Sequence, residues 1–264
     1  VDLKLNNKTA LVTGSTTGIG FAIASLLAQE GATVVINGRT EQKVSQAIEL
    51  IKKINPQAKL IPAAADVSTA EGAKILFEKV PEIDILVNNA GIYEIKSFFD
   101  ISDEDWLHIM DVNVMSGMRL SRYYLPLMLK KNWGRIIFIS SESGVQIPVE
   151  MIHYGVSKST QIALARGLAE MTINTNVTVN SVLPGPTRSE GVDQFIESVA
   201  KVRSINATQV EKEFFETVRP TSLLKRFATS EEVAALVAFV ASPLSSATNG
   251  VALRVDGGVI KSAF

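Results

Sequence analysis

Short apolar runs alternate with longer segments in which apolar residues recur every three or four positions, and this alternation holds along the whole chain. The runs at Thr9–Thr13, Thr33–Asn37, Leu60–Ala65, Asp84–Val87, Ile136–Ile139, Val177–Leu183 and Leu253–Val255 read as strands. Helical periodicity starts near Gly18, where Ile19, Ala22, Ile23, Leu26 and Leu27 share one side, and Gly31 marks its stop. It returns over Glu41–Ile54, from Thr69 onward, through Tyr154 to Ala169, and over Ser230–Ala241. Ser102–Lys131 reads as one long helix, with Ser102 a cap three residues before Asp105 and Pro126 bending the far end. Strand and helix in strict alternation predict an α/β fold. Its core is a doubly wound, seven-stranded parallel sheet with helices on both faces, within a single domain spanning residues 1–264.

Composition narrows the function classes. At 264 residues and 46% hydrophobic content the chain can bury a full core, and no composition shift or repeat divides it. A net charge of −1 argues against a dedicated nucleic-acid or anionic-membrane surface, and Lys130, Lys131 and Arg135 read as solvated positions. The absence of cysteine excludes a disulfide, a thiolate nucleophile and a cysteine zinc site, and makes the cytoplasm the natural compartment. Val1–Leu5 has no signal-like apolar stretch, and Val233–Ala241 falls short of the roughly eighteen residues of a spanning helix, so no membrane partner is expected.

Candidate chemistry gathers where strands end. After Ile136–Ile139 come Ser140-Ser141 and then Tyr154-Gly155-Val156-Ser157-Lys158. A spacing of four stacks Tyr154 and Lys158 on one helix face, and a cation beside a phenol favours the phenolate, whose ordinary pKa is roughly 10. Ser141 closes its strand, where open α/β sheets hold ligands. The first strand runs into Thr13-Gly14-Ser15-Thr16-Thr17-Gly18-Ile19-Gly20, a loop in which backbone can approach a pyrophosphate at a helix N-terminus. The second strand is followed by Gly38-Arg39-Thr40. In dinucleotide-binding units an acid about twenty residues past the loop takes the ribose 2′-hydroxyl, and an arginine nearby accommodates a 2′-phosphate. Arg39, with no acid at Asn37 or Gly38, favours NADP(H), while Glu41 keeps NAD(H) open.

Further strand ends carry Asp66-Val67, Asn88-Asn89-Ala90-Gly91, Pro184-Gly185-Pro186-Thr187-Arg188-Ser189 and Asp256-Gly257-Gly258, and the long helix carries Asp111-Val112-Asn113-Val114. In this order, with Tyr-x-x-x-Lys thirteen residues after Ser141 and a Gly-x-x-x-Gly-x-Gly loop, the motifs resemble the classical short-chain dehydrogenase/reductase family over nearly the whole chain. The resemblance implies a Rossmann fold and reversible hydride transfer between a nicotinamide and a carbonyl carbon. It makes Tyr154 the general acid or base, assisted by Lys158 and the oxidised nicotinamide. Ser141 would hold the substrate oxygen, and Asn113 a water leading from Lys158 to solvent.

For the cofactor, the resemblance points to Gly14, Ser15, Thr17, Gly18, Ile19 and Gly20 of the loop, to Arg39, and to Asp66 and Val67 at the adenine. It adds Asn89, Ala90 and Gly91, with Tyr154, Lys158, Pro184, Gly185, Thr187 and Ser189 towards the nicotinamide; Ser189 stands where a threonine is usual. No metal is implied, and a homotetramer built on the long helices and the C-terminal segment is.

Several readings stay open on the residues. Asp66 serves the adenine or caps the helix from Thr69. Ser143 rivals Ser141. Residues 190–224, with Phe195, Phe214 and Phe215, are a substrate lid or a helical insertion completing the core. Trp106 and His108 read as structural. A pocket lined by Val145, Ile147, Pro148, Met151 and Ile152, by residues 186–195 and by Tyr93 would be apolar, and so would suit a hydrophobic ketone or secondary alcohol. A 3-oxoacyl-(acyl-carrier-protein) reductase shares every motif. An enoyl reductase would space tyrosine and lysine more widely, and a non-catalytic cofactor-sensing regulator would bind NADPH without turnover.

Overall fold

A computed structural model describes residues 1–263. Its seven strands are β1 (Thr9–Val12), β2 (Thr33–Gly38), β3 (Lys59–Ala64), β4 (Ile85–Asn88), β5 (Gly134–Ile139), β6 (Val177–Pro184) and β7 (Ala252–Val255). All pair in parallel, in the order β3-β2-β1-β4-β5-β6-β7. The fold is the doubly wound Rossmann type that the alternation predicts. The order reverses between β1 and β4, which pair with Val12 beside Val87. The glycine loop after β1 and the Asn-Asn-Ala-Gly turn after β4 therefore meet at the switch point where such sheets bind ligands.

Side chains alternate across the sheet and divide the core. Ala10, Val12, Ile137 and Ile139 face one layer, packed by α1 (Gly18–Gln29), α2 (Glu41–Ile54) and α9 (Ser230–Ala241) through Leu27, Ile51 and Val237. Leu11, Ile136 and Phe138 face the other, with Leu76 of α3 (Ala70–Lys79), Tyr124 and Met128 of α5 (Ser116–Lys130) and Ala165 of α6 (Ile152–Glu170). A third, smaller cluster of Ile196, Ala200, Val210, Phe215 and Phe227 belongs to the excursion after β6, which carries α7 (Glu190–Arg203) and α8 (Ala207–Glu213). Residues 190–224 therefore build a core of their own and do not complete the main one. Among the described residues no helix is long and apolar enough to cross a membrane.

Three expectations are corrected. The long helix is interrupted: α4 (Asp103–Met110) passes into a π-turn at Asp111–Met115 before α5, whereas α5 runs through Pro126 to Lys130. The break falls at Asn113, and single π-turns are common at functional positions. Asp66 is not the cap of α3. Thr69 caps it by accepting from the Gly72 amide at 3.0 Å, while Asp66 accepts from the Ser68 amide and hydroxyl at 3.0 and 2.7 Å. Arg135 is not solvated but buried, donating to the carbonyls of Gly134, Asn176 and Ser242 at 2.9, 2.8 and 3.3 Å. Burial lowers its pKa to about 10.

Candidate active site

The nucleotide end is assembled from backbone. Thr17 stands at the N-cap of α1 but makes no side-chain capping bond, and no acidic residue occupies the first turn. By contrast α2, α3, α4, α7, α8 and α9 are capped by Thr40, Thr69, Ser102, Ser189, Asn206 and Thr229. The first amides of α1 are thus left for an anion from outside. Gly14 and Gly18 hold φ of +60° and +56°, and a side chain at Gly20 would collide with Asn89 Nδ2 and the Gly14 carbonyl. Gly20 admits no side chain and Gly14 and Gly18 hold the positive φ of the turn, so the loop presents bare backbone, which fits a dinucleotide pyrophosphate.

Buried amides tie the strand ends around that cradle. Asn37 accepts from the Gly14 amide at 3.2 Å and donates to the Ala63 and Ala65 carbonyls at 2.9 and 3.1 Å. Ser15 is buried with its hydroxyl on Asn37, accepting from that residue's amide at 2.9 Å. Asn89 Nδ2 donates to the carbonyls of Thr13 and Gly14 at 2.9 and 3.2 Å, and Thr13 Oγ1 accepts from the Asn89 and Ala90 amides, each at 2.9 Å. Arg39 is exposed just past β2 and forms no ion pair or hydrogen bond among the described residues.

One cavity of about 940 Å³ joins this cradle to the reactive side chains. Its walls include Gly14, Thr17, Ile19, Gly20, Asn89, Ala90, Gly91, Ser141, Ser143, Tyr154, Lys158, Pro184, Gly185, Thr187 and Ser189. Gly18 opens with Ser189 on a neighbouring cavity of about 380 Å³, whereas Ser15, Arg39, Asp66, Val67 and Asn113 line neither. Lys158 is buried, with Nζ donating to the Ile139 carbonyl at 2.9 Å and to Gln161 Oε1 at 3.2 Å, and 5.6 Å from the centre of the Tyr154 ring. Burial lowers its pKa to about 7.

The phenol of Tyr154 shifts the other way from expectation. Enclosure pushes its pKa up; the Ser141 hydroxyl and Arg219 pull it down, and Glu142 and Tyr93 push it further up. Desolvation of the charged form outweighs the Ser141 hydroxyl and the Arg219 cation, which are the groups that favour the phenolate. Asn113, fully buried in the π-turn, accepts from the Ile92 amide at 2.8 Å and donates to the Ile92 carbonyl and Ser157 Oγ, each at 2.9 Å. Its carbonyl accepts from Gln161 Nε2. The connection from Lys158 to Asn113 therefore runs through Gln161, which lies three residues past the lysine.

A family model described as short chain dehydrogenase matches residues 8–199. The chain belongs to the short-chain dehydrogenase family. An uncharacterized oxidoreductase of Bacillus subtilis, YvaG, is 50% identical over 99% of both chains. The 3-oxoacyl-[acyl-carrier-protein] reductase FabG of Aquifex aeolicus is 34% identical, over 98% of this chain and 100% of its own. Among solved structures, L-sorbose reductase from Gluconobacter frateurii, complexed with NADPH and L-sorbose, matches with a TM-score of 0.93 at 29% identity, over 99% of this chain and 100% of that one. This short-chain dehydrogenase is thus an oxidoreductase, and nicotinamide-nucleotide binding goes with the family.

The substrate side of this short-chain dehydrogenase departs from the sequence reading. Of the five apolar residues expected in the wall only Met151 lines the cavity, together with Tyr93; Val145 and Ile147 are exposed. Ile147 packs instead against the close approach of Gly155. The apolar wall comes from the excursion, through Val192, Phe195, Ile196, Val210, Phe214 and Val218. Besides Lys158, three charged residues line the same cavity, Glu142, Glu150 and Arg219. Glu142 and Arg219 are buried as an ion pair at 3.0 Å, and Arg219 reaches Glu150 at 3.2 Å. Glu142 was legible in one respect only, as an acid standing directly between Ser141 and Ser143.

Proposed function

We propose that the protein catalyses reversible hydride transfer between NADP(H) and a ketone or secondary alcohol, within one domain that holds both cofactor and substrate. The reading rests on one observation: the uncapped glycine loop and the Ser141–Tyr154–Lys158 group open on the same cavity. The cofactor, when bound, supplies or accepts the hydride. Tyr154 gives its phenolic proton to the substrate oxygen in reduction and takes it back in oxidation, and Ser141 hydrogen-bonds that oxygen. Lys158, fixed by Ile139 and Gln161, feeds the proton path, and Asn113 braces the floor by pinning Ile92. General acid–base help of this kind is worth roughly 10²–10⁴-fold.

Residues 14–20 and Asn89–Gly91 cradle the phosphates and ribose, Asp66 and Val67 flank the adenine, and Pro184, Gly185, Thr187 and Ser189 bound the nicotinamide. Preference for NADP(H) is supported by Arg39, which has no partner among the described residues, and by Asn37, whose amide is committed to Gly14, Ala63 and Ala65 and leaves no acid for a ribose 2′-hydroxyl. NADPH in the L-sorbose reductase complex points the same way. A homotetramer is part of the proposal, supported by Leu107 of α4 and by Phe98 and Phe99 before it, all exposed.

A second reading of the substrate is favoured by the charged wall. An apolar carbonyl satisfies the excursion's side chains, whereas a neutral ketone with neighbouring hydroxyls also satisfies Glu142, Glu150 and Arg219, and L-sorbose is such a ketone. The test is nucleotide fluorescence on titration with NADPH and NADH, followed by reduced-cofactor absorbance with apolar ketones, hydroxyketones and a 3-oxoacyl carrier thioester. Tighter NADPH binding and consumption of one ketone class are expected. Binding without turnover across the panel favours a regulator, consumption of the carrier thioester alone favours the carrier-linked reductase, and no binding overturns the cradle.

A further inference from the structure

Glu142 holds two parts of the molecule at once. Its Oε2 accepts from the Ser141 hydroxyl at 2.5 Å, from the Ser143 amide at 2.8 Å and from the Ser143 hydroxyl at 3.1 Å. Its Oε1 accepts from Arg219 Nε at 3.0 Å. Arg219 comes from the far end of the excursion, where its amide donates to the Phe214 carbonyl at 2.9 Å and closes the π-turn Phe214–Val218. Both side chains are almost sealed, at 6% and 10% exposure. A carboxylate paired with a guanidinium can only accept, so the Ser141 proton points at Glu142, from which it has to turn to reach a substrate carbonyl, and the Ser143 amide donates to Ser141 Oγ at 3.1 Å.

We infer that Glu142 and Arg219 are a positioning pair that couples the substrate wall to the catalytic serine, one carboxylate orienting the Ser141 hydroxyl through one oxygen and anchoring residues 190–219 through the other. The excursion needs such a tie because its apolar core is small and separate from the two sheet cores. Val210, Phe214 and Val218 of the excursion line the same cavity as the serine, so the pair ties that wall to it. Glu150 shares Arg219 but holds no serine, so it supports the anchor without setting the hydroxyl.

The inference rests on the reading of Ser141 and Tyr154 as the reacting pair, and its test separates the two. Amide hydrogen exchange over residues 190–219 is measured on the protein without nucleotide, for wild type, Arg219→Gln, Arg219→Lys, Glu142→Gln and Glu150→Gln. Breaking a buried pair by removing one partner leaves an uncompensated charge, so about tenfold or faster exchange is expected in Arg219→Gln and Glu142→Gln. Glu150→Gln moves it less, and Arg219→Lys recovers part of the protection, because an ammonium keeps the charge but not the fork. In turnover, Arg219→Gln raises KM about tenfold with a smaller fall in kcat, whereas Glu142→Gln lowers kcat as well.

The pH profile adds a readout that a mere staple would not move. The groups facing the Tyr154 phenol are Ser141, Glu142 and Ser143 after β5, Tyr93 after β4, Lys158 of its own helix and Arg219 of the excursion. The limb set by Tyr154 moves to lower pH in Glu142→Gln and to higher pH in Arg219→Gln. Exchange unchanged within about twofold in both variants overturns the coupling. Faster exchange with kcat and the pH limb untouched overturns the setting of the serine. Loss of all turnover in wild type strikes the catalytic reading instead, and leaves the exchange result standing.

Discussion

The nucleotide cradle and the substrate wall are built by different physics. In the cradle, neutral amides and hydroxyls bond to backbone between strand ends whose register the sheet already fixes, as Asn37 does with Gly14, Ala63 and Ala65 and Asn89 with Thr13 and Gly14. In the wall, side chains of a helical excursion are fixed by charge, through Arg219 on Glu142 and Glu150 and through Arg188 on Asp193 and Glu211. The first arrangement repeats wherever the sheet repeats. The second depends on a few replaceable ions, so cofactor chemistry can stay constant while the substrate end diverges.

Tyr154 stands where the two regions meet, and its loss should show the largest effect. Tyr154→Phe keeps the ring beside Tyr93, 6.2 Å away, and removes only the transferable proton. Turnover should fall by about 10²–10⁴-fold while nucleotide affinity, measured by fluorescence titration, stays within about threefold. A parallel loss of affinity would mean that the phenol holds the cofactor more than it serves the reaction.

Arg39 tests the cradle alone. A hydrogen bond to a charged group is worth roughly 1.5–3 kcal/mol, so Arg39→Ala should weaken NADPH about 10- to 100-fold and leave NADH nearly unchanged. Equal weakening of both, or of neither, would remove the basis for NADP preference.

The same division decides how much the sequence discloses. All seven strands and the helices over Glu41–Ile54 and Ser230–Ala241 follow from periodicity, because each turns apolar residues towards the core and has clear stops. Tyr154, Lys158 and Ser141 are local in sequence to one strand–helix unit, and Gly14, Gly18 and Gly20 to another, so spacing alone brings each set together. Arg219 and Glu142 are 77 residues apart and meet only through the path of the excursion, which no period encodes. Arg135 shows a related limit: its charge suggests solvent, yet the carbonyls of Gly134, Asn176 and Ser242, brought together from three parts of the chain, satisfy it inside. The π-turn at Asn113 escapes because Asp111–Met115 contains no glycine or proline, so nothing local marks the change of winding.

Lys158 offers a smaller effect with a definite sign. Its pKa is lowered from 10.5 to about 7 by burial, so between those values the unfolded chain holds a proton that the native site does not. Stability therefore rises with pH through that window, by up to about 1.4 kcal/mol per pH unit, and below about 7 the penalty is constant. Urea midpoints of wild type and Lys158→Met from about pH 6.5 to about pH 9.5 isolate the term. The difference should move in favour of wild type as pH rises. A flat difference would mean that the lysine is charged and solvated throughout.

Ser189 is where the comparison is finest, since it lines both cavities and begins the excursion. Its hydroxyl accepts from the Val192 amide at 3.3 Å and caps α7, which is the work of the wall. In the proposed cofactor assignment, its place after Pro184-Gly185 also sets it at the nicotinamide end of the cradle. Loss of an N-cap costs typically about 1 kcal/mol, so Ser189→Ala should lower stability by that amount, and Ser189→Thr should retain it. If nucleotide affinity is unchanged in Ser189→Ala, the residue belongs to the wall. If affinity falls in Ser189→Ala and is kept in Ser189→Thr, one hydroxyl serves both regions, and opening the cap is then the route by which nucleotide binding reaches α7.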